Sequence, residues 1–114
     1  MLEISVKEEK QHHIIALRGE VDASNSVELD EAMQGLLERG SKLILVDGTE
    51  LSYISSAGLG VFMSYLEDFQ DREVTFVIFG LNEKVFNVFH ILGLDQLITM
   101  VGSHQDALDI LYEA

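Results

Sequence analysis

At 114 residues, 47% of them hydrophobic, the chain has the length of one domain and the apolar content for one core, so a single domain over residues 1–114 is expected. Cysteine is absent, which excludes disulfides, thiolate nucleophiles and cysteine metal sites together. Twenty acidic against seven basic residues give a formal charge of −13. Most faces of such a surface repel phosphate backbones and anionic lipid, so nucleic acid is not an expected partner. A well-solvated surface accounts for the charge, and a basic protein partner is the more specific reading.

Leu2, Ile4 and Val6 alternate with Glu3, Ser5 and Lys7, the pattern of a strand with one wet face. After a polar turn at Glu8–Gln11, His13–Leu17 forms a second apolar run that ends at Arg18-Gly19-Glu20. The linker is too short for a parallel crossover, so the two runs should pair as an antiparallel hairpin. Val21–Ser26 is rich in capping residues, and Asn25 with Glu28 has capping-box spacing, which predicts a helix with Val27, Ala32, Met33, Leu36 and Leu37 on its apolar side and Gly40 as its stop.

Leu43–Val46 reads as a short strand covered on both faces. Gly48–Ser55 is expected as a loop, followed by a helix from about Ser56 to Asp71 with Leu59, Phe62, Met63, Leu66 and Phe69 on its core stripe. Val61 and Tyr65 fall off that stripe. Val74–Phe79 is a buried strand in a right-handed parallel unit. Asn82 caps a third helix carrying Val85, Phe86, Phe89 and Leu92, with Gly93 as its stop. Leu97–Met100 is a short strand, and Ser103 with Asp106 opens a last helix that packs Leu108 and Leu111 inward. The sum is an α/β sandwich, a mixed, mostly parallel β-sheet with an N-terminal hairpin and about four packed helices.

No apolar run approaches the roughly 20 residues of a membrane span. Met1–Lys7 has neither the basic flank nor the apolar block of a signal peptide, so a cytoplasmic location without membrane insertion is expected. His12 and His13 are adjacent on a strand and point to opposite faces, while His90 and His104 stand alone, so no metal site is expected. Neither a phosphate loop nor a dinucleotide fingerprint occurs. Around Ser56 the residue two before is Ile54 and two after is Gly58, only half of a hydrolase elbow. No enzymatic constellation or cofactor site emerges.

What remains is Ser55-Ser56 at a strand-to-helix junction, where unpaired N–H groups and the positive end of the helix dipole gather. One serine can serve as the N-cap, worth about 1 kcal/mol. Phosphorylation is the functional alternative, adding about −1.5 to −2 charges beside the favourable end of the dipole. A cap and a switch are not exclusive.

The segment Asp47-x-x-x-Leu51-Ser52-Tyr53-Ile54-Ser55-Ser56-Ala57-Gly58-Leu59-Gly60 resembles the signature of STAS domains, the fold of bacterial anti-sigma-factor antagonists. Gly19-Glu20-Val21-Asp22 is similar to the family's earlier Gly-Glu-Leu-Asp segment. Val85–Leu94 is similar to its later helix ending in Gly-Leu. The resemblance implies a domain whose unphosphorylated form binds an anti-sigma factor with serine-kinase activity and so releases a sigma factor. That kinase phosphorylates a serine which falls here on Ser56, and a phosphoserine phosphatase resets the domain. Many members carry Asp just before that serine; here the position is Ser55, the alternative acceptor. The resemblance places Asp22 and Asp47 near the acceptor, and the partner surface is expected to comprise Asp22, Asp47, Ser55, Ser56, Ala57, Gly58, Val61 and Tyr65. STAS domains also serve in lipid-trafficking or anion-transport assemblies, or as scaffolds of sensory complexes, which is the alternative function.

Overall fold

The computed structural model describes residues 1–113. Its element order is β1 (Leu2–Glu9), β2 (His12–Val21), α1 (Ser26–Glu38), β3 (Leu43–Ile54), α2 (Ser56–Asp71), β4 (Thr75–Phe79), α3 (Glu83–Ile91), a short 3-10 turn at Leu94–Gln96, β5 (Thr99–Val101) and α4 (His104–Leu111). The five strands lie side by side in chain order. β1 and β2 form the expected antiparallel hairpin, turning at Lys10 with φ 54°, and the remaining pairs are parallel.

Alternation along the strands sorts the side chains into two layers. Ile15, Leu17, Ile44, Val46, Phe76 and Ile78 face one side, where α1, α2 and α3 bury Leu29, Met33, Phe62, Tyr65, Phe69, Val85 and Phe89 against them. Leu45, Val77 and Phe79 face the other side, where α4 alone covers them with Ala107 and Leu111. The Phe62 ring lies 6.0 Å from Phe76 and 6.1 Å from Phe89, and Phe69 lies 4.8 Å from Phe76. Such pairs add about 0.5–1.5 kcal/mol each beyond their burial. They fix α2 against β4 and α3, and so fix where its N-terminus points.

The helix boundaries follow the capping chemistry in most places. Asn82 accepts a hydrogen bond from the Val85 N–H, Ser103 accepts one from the Asp106 N–H, and Gly40 and Gly93 follow their helices at φ 76° and 74°. Several expectations need correction. Asn25 makes no side-chain cap to α1, because its amide turns back to the Asp22 loop instead. The stretch read as a loop after Val46 is strand as far as Ile54, since β2 continues beside it to Val21 through two register shifts. Leu97 precedes β5 rather than belonging to it and is 66% exposed. Met63, expected on the core stripe of α2, is half-exposed, whereas Tyr65, expected off it, is buried.

Candidate functional site

The carboxyl ends of β2 and β3 lie side by side, pairing Val21 with Ile54. The chain leaves them in two loops that lead into α1 and α2. Ser55 N–H donates to the Val21 carbonyl at 2.9 Å, which ties the start of α2 to the start of the Asp22 loop.

That loop is built by short polar side chains. Asp22 Oδ1 accepts from the Ser24 N–H at 2.9 Å and from the Ser24 hydroxyl at 2.6 Å. Asn25, buried, accepts from the Asp22 N–H at 2.9 Å and donates to the Glu20 carbonyl at 3.0 Å. The hydrogen bonds from Ser24 hold the Asp22 carboxyl below its ordinary value, so it carries its charge throughout the neutral range. The dense Asx and hydroxyl composition of Asp22–Asn25 signals such a self-bonded turn. Ser24 and Asn25 belong to the site as its organisers, a role that capping spacing alone conceals.

The two serines divide the work at the helix start. Ser55 has extended backbone angles, φ −91° and ψ 174°, and its Oγ accepts from the Gly58 N–H at 3.4 Å, so Ser55 is the N-cap. Ser56 is the first helical residue and is exposed, and no hydrogen bond among the described residues engages its hydroxyl. By helix geometry the N–H groups of Ser56 and Ala57 have no intrahelical acceptor, and the macrodipole adds positive potential there. No acidic side chain lies in that first turn. An anion on the Ser56 oxygen therefore meets favourable backbone electrostatics, with Asp22 as a nearby opposing charge.

Gly58 explains how closely α2 sits on the sheet. A Cβ there would lie 2.6 Å from Val21 Cγ1 and 2.8 Å from Ile54 Cγ1, so only glycine permits this approach. One turn on, Val61 is half-buried and packs against the core. Its placement off the core stripe is corrected, as is that of Tyr65. The Tyr65 hydroxyl donates to Asp30 Oδ1 at 2.8 Å and so joins α1 to α2 inside the core. Burial, reinforced by Asp30, raises the Tyr65 pKa well above its ordinary value, and the hydroxyl stays protonated. The outward face of α2 instead continues from Ser56 through Gly60, Met63 and Ser64, all exposed. Counting three and four residues on from Ser56 finds that face.

Asp47 does not join this site. It pairs with Ala16 and Phe79 in the middle of the sheet, with seven strand residues between it and Ser55, about 26 Å of extended chain. It lies on the sheet face opposite α2 and lines a cleft of about 210 Å³ with Glu3, Ser5, Arg18 and Glu50. Its carboxylate accepts from the Thr49 N–H at 3.0 Å. The structure thus brings together Asp22, Ser55, Ser56, Ala57 and Gly58, puts Val61 at their margin, and leaves Asp47 and Tyr65 out.

The histidines lie elsewhere. His12 bonds to the Tyr112 hydroxyl and His13 to Ser41 Oγ on the opposite face, while His90 pairs with Asp95 and His104 stacks on Phe79. No three potential metal ligands cluster among the described residues. No helix of the described residues is long and apolar enough to cross a membrane.

Comparison with known proteins places this geometry in a family. The anti-sigma-B factor antagonist of Listeria monocytogenes is 35% identical over 98 residues, covering 85% of this chain and 86% of the relative. An anti-sigma factor antagonist from Mycobacterium paratuberculosis superposes with a TM-score of 0.91 at 17% identity, covering 99% and 96% of the two chains. The anti-sigma factor antagonist SpoIIAA of Bacillus, in its unphosphorylated form, superposes with a TM-score of 0.83 at 18% identity, covering 98% of each chain. A family described as Mlab, STAS domain, matches residues 4–101. The chain belongs to the STAS-domain family.

Proposed function

We propose that this chain is an anti-sigma-factor antagonist, a phosphorylation-controlled binding module of the cytoplasm rather than an enzyme. Its unphosphorylated form holds an anti-sigma factor with serine-kinase activity, and a phosphoserine phosphatase reverses the modification. The observation that carries this reading is the division of labour at the start of α2. Ser55 supplies the cap, which leaves the exposed Ser56 hydroxyl available to a kinase. The 35% identity to the Listeria antagonist supports the choice of partner class.

The switch follows from electrostatics. The Asp22 loop, Ser55–Gly58 and the outward side of α2 adjoin one another, and a partner seats on the surface they make. A phosphate on Ser56 leaves the domain itself little affected, because the helix dipole favours it. A closely fitting partner must instead desolvate a dianion beside ionised Asp22. Without cations of its own it loses several kcal/mol, and each 1.4 kcal/mol is about tenfold in affinity. The test is incubation with ATP and an anti-sigma factor serine kinase from the same organism, phosphate location by mass spectrometry, and titration of that partner. Phosphate on Ser56, with roughly hundredfold weaker binding of Ser56→Asp and near-native binding of Ser56→Ala, is the expected result. Equal binding of all three forms defeats the switch.

A second reading draws on the name of the matching family and on a sulfate transporter family protein of Wolinella succinogenes with the same fold, at a TM-score of 0.77. In it the domain is a subunit of a lipid-trafficking or anion-transport assembly. Absence of phosphate incorporation together with co-purification on a membrane transporter favours that reading.

A further inference from the structure

Far from Ser56, the carboxyl-terminal half of α2 borders a groove of about 470 Å³ lined by Leu66, Phe69, Val74, Phe76 and Leu97, with Glu67 and Gln70 as its polar members. Fourteen residues of helix separate Ser56 from Gln70, about 21 Å at the α-helical rise. Leu97 is 66% exposed, and Ile91 and Leu92, just before the turn that delivers Leu97, are 72% and 56% exposed. An isolated exposed leucine needs no explanation, but Leu97 is set in the wall of an apolar groove with Leu66, Phe69, Val74 and Phe76, a surface that solvent alone does not favour.

Charge selects the occupant. The groove has a carboxylate in its lining and no cation. The chain beyond it carries exposed Asp68, Asp71 and Glu73, and two cations oppose them locally, Arg72 and Lys42, whose ammonium donates to the Arg72 carbonyl, so the carboxylates of this end of α2, Glu67 included, outnumber the cations. A second copy of the chain would bring −13 against −13. Anionic lipid and nucleic acid meet the same repulsion. An amphipathic helix with an apolar stripe and lysine or arginine flanks satisfies both the groove and its rim.

We infer that this groove is a second protein-docking surface, at the end of α2 remote from Ser56, and that it takes a cationic amphipathic helix of a partner protein. Because its α2 wall runs from Leu66 to Gln70, about 15 to 21 Å along the helix from the phosphoacceptor and beyond the Debye length of about 8 Å at physiological ionic strength, it keeps its occupant whichever state the switch is in. The domain can then stay tethered to one protein while it releases another at Ser56.

The probe is a fluorescent helical peptide of leucine and lysine at three- and four-residue spacing, with a leucine and glutamate peptide as control. Anisotropy titration and amide-shift mapping are read together, in wild type, Leu97→Asp and Ser56→Asp. Saturable binding of the lysine peptide is expected, with shifts at Leu66–Phe76 and Leu97. The Leu97→Asp exchange adds a negative charge, so simple attraction between opposite charges would tighten binding, whereas loss of the apolar seat weakens it roughly tenfold. Ser56→Asp should leave this affinity within about twofold. Equal or tighter binding by Leu97→Asp, binding of the glutamate peptide, or shifts confined to Asp22–Gly60 overturns the inference. Self-association of the free protein that Leu97→Asp abolishes overturns it in favour of a second copy. None of these outcomes bears on the switch at Ser56, which is read with a different partner.

Discussion

Two glycines of α2, one residue apart from being neighbours, should respond to alanine with opposite signs. At Gly58 an added Cβ lies 2.6 Å from Val21 Cγ1, 2.8 Å from Ile54 Cγ1 and 3.2 Å from Ile54 Cδ1. Carbon contacts prefer about 3.5–4.0 Å, so two neighbours must give way by roughly 1 Å. Both are β-branched, stiff at χ1 and buried at 0% and 2% exposure, so neither can rotate aside. Overpacking of this kind costs about 2–3 kcal/mol, and the helix gains about 1 kcal/mol from losing a glycine, which leaves Gly58→Ala about 1–2 kcal/mol less stable. At Gly60 nothing lies within 4 Å of the added Cβ, and only the helix gain remains, so Gly60→Ala is about 0.5–1 kcal/mol more stable. With a urea m-value of about 1.5 kcal/mol per molar, the two midpoints separate by roughly 1–2 M. Gly58→Ala should also weaken partner binding under conditions where it is fully folded, since the strain is relieved by lifting Ser55 and Ser56 off the ends of β2 and β3. A gain in stability at Gly58 equal to that at Gly60 refutes the packing argument and with it the account of how α2 is positioned.

The serine pair should separate cap from acceptor. Ser55→Ala loses the hydrogen bond to the Gly58 N–H and about 0.5–1 kcal/mol, the low end of capping because the bond is 3.4 Å long; Ser56→Ala stays within about 0.5 kcal/mol of wild type. Chemical denaturation reads both, and a larger loss at Ser56 reverses the assignment. Acid stability should depend on His12, whose pKa is lowered from 6.5 chiefly by burial, with Glu9 opposing and His104, His13 and Lys10 adding to the shift. The unfolded chain then takes up the proton first, so the His12 contribution is complete above about pH 6.5 and is lost as pH falls through the folded value. A urea series from pH 7.5 to 5 should show a falling midpoint, and a slope unchanged in His12→Phe contradicts the assignment.

Most of the fold was legible because local rules and tertiary packing agree. Alternation in Leu2–Val6, the turn after Glu9, the strand-helix-strand run through α2 and the stops at Gly40 and Gly93 each follow from a few neighbouring residues. The failures arise where a distant element decides. Nothing local tells that β3 continues to Ile54: Gly48–Ser55 reads as a loop, yet β2 supplies paired backbone groups as far as Val21. Tyr65 is off a stripe drawn through Leu59, Phe62 and Phe69, but Asp30 on α1 offers its hydroxyl a partner at 2.8 Å and lets the ring be buried. Asn25 has capping-box spacing, but the Asp22 N–H and the Glu20 carbonyl compete for its amide and win.

The same distinction orders the site. Ser55 and Ser56 are equivalent by composition, and the helix start alone does not say which is the cap. The parallel register does, because Val21 opposite Ile54 lets its carbonyl bind the Ser55 N–H and holds that residue in extended geometry, the backbone state an N-cap requires. Ser56 is thereby forced into the first helical position, with its side chain outward. Asp47 shows the converse. It opens the signature segment in sequence, but an extended strand carries Ser55 away from it, so the signature is continuous in the chain and divided in space. Its amino-terminal part builds the pairing that sets the register, and its carboxyl-terminal part, from Ser55 to Gly58, uses that register to present a single hydroxyl.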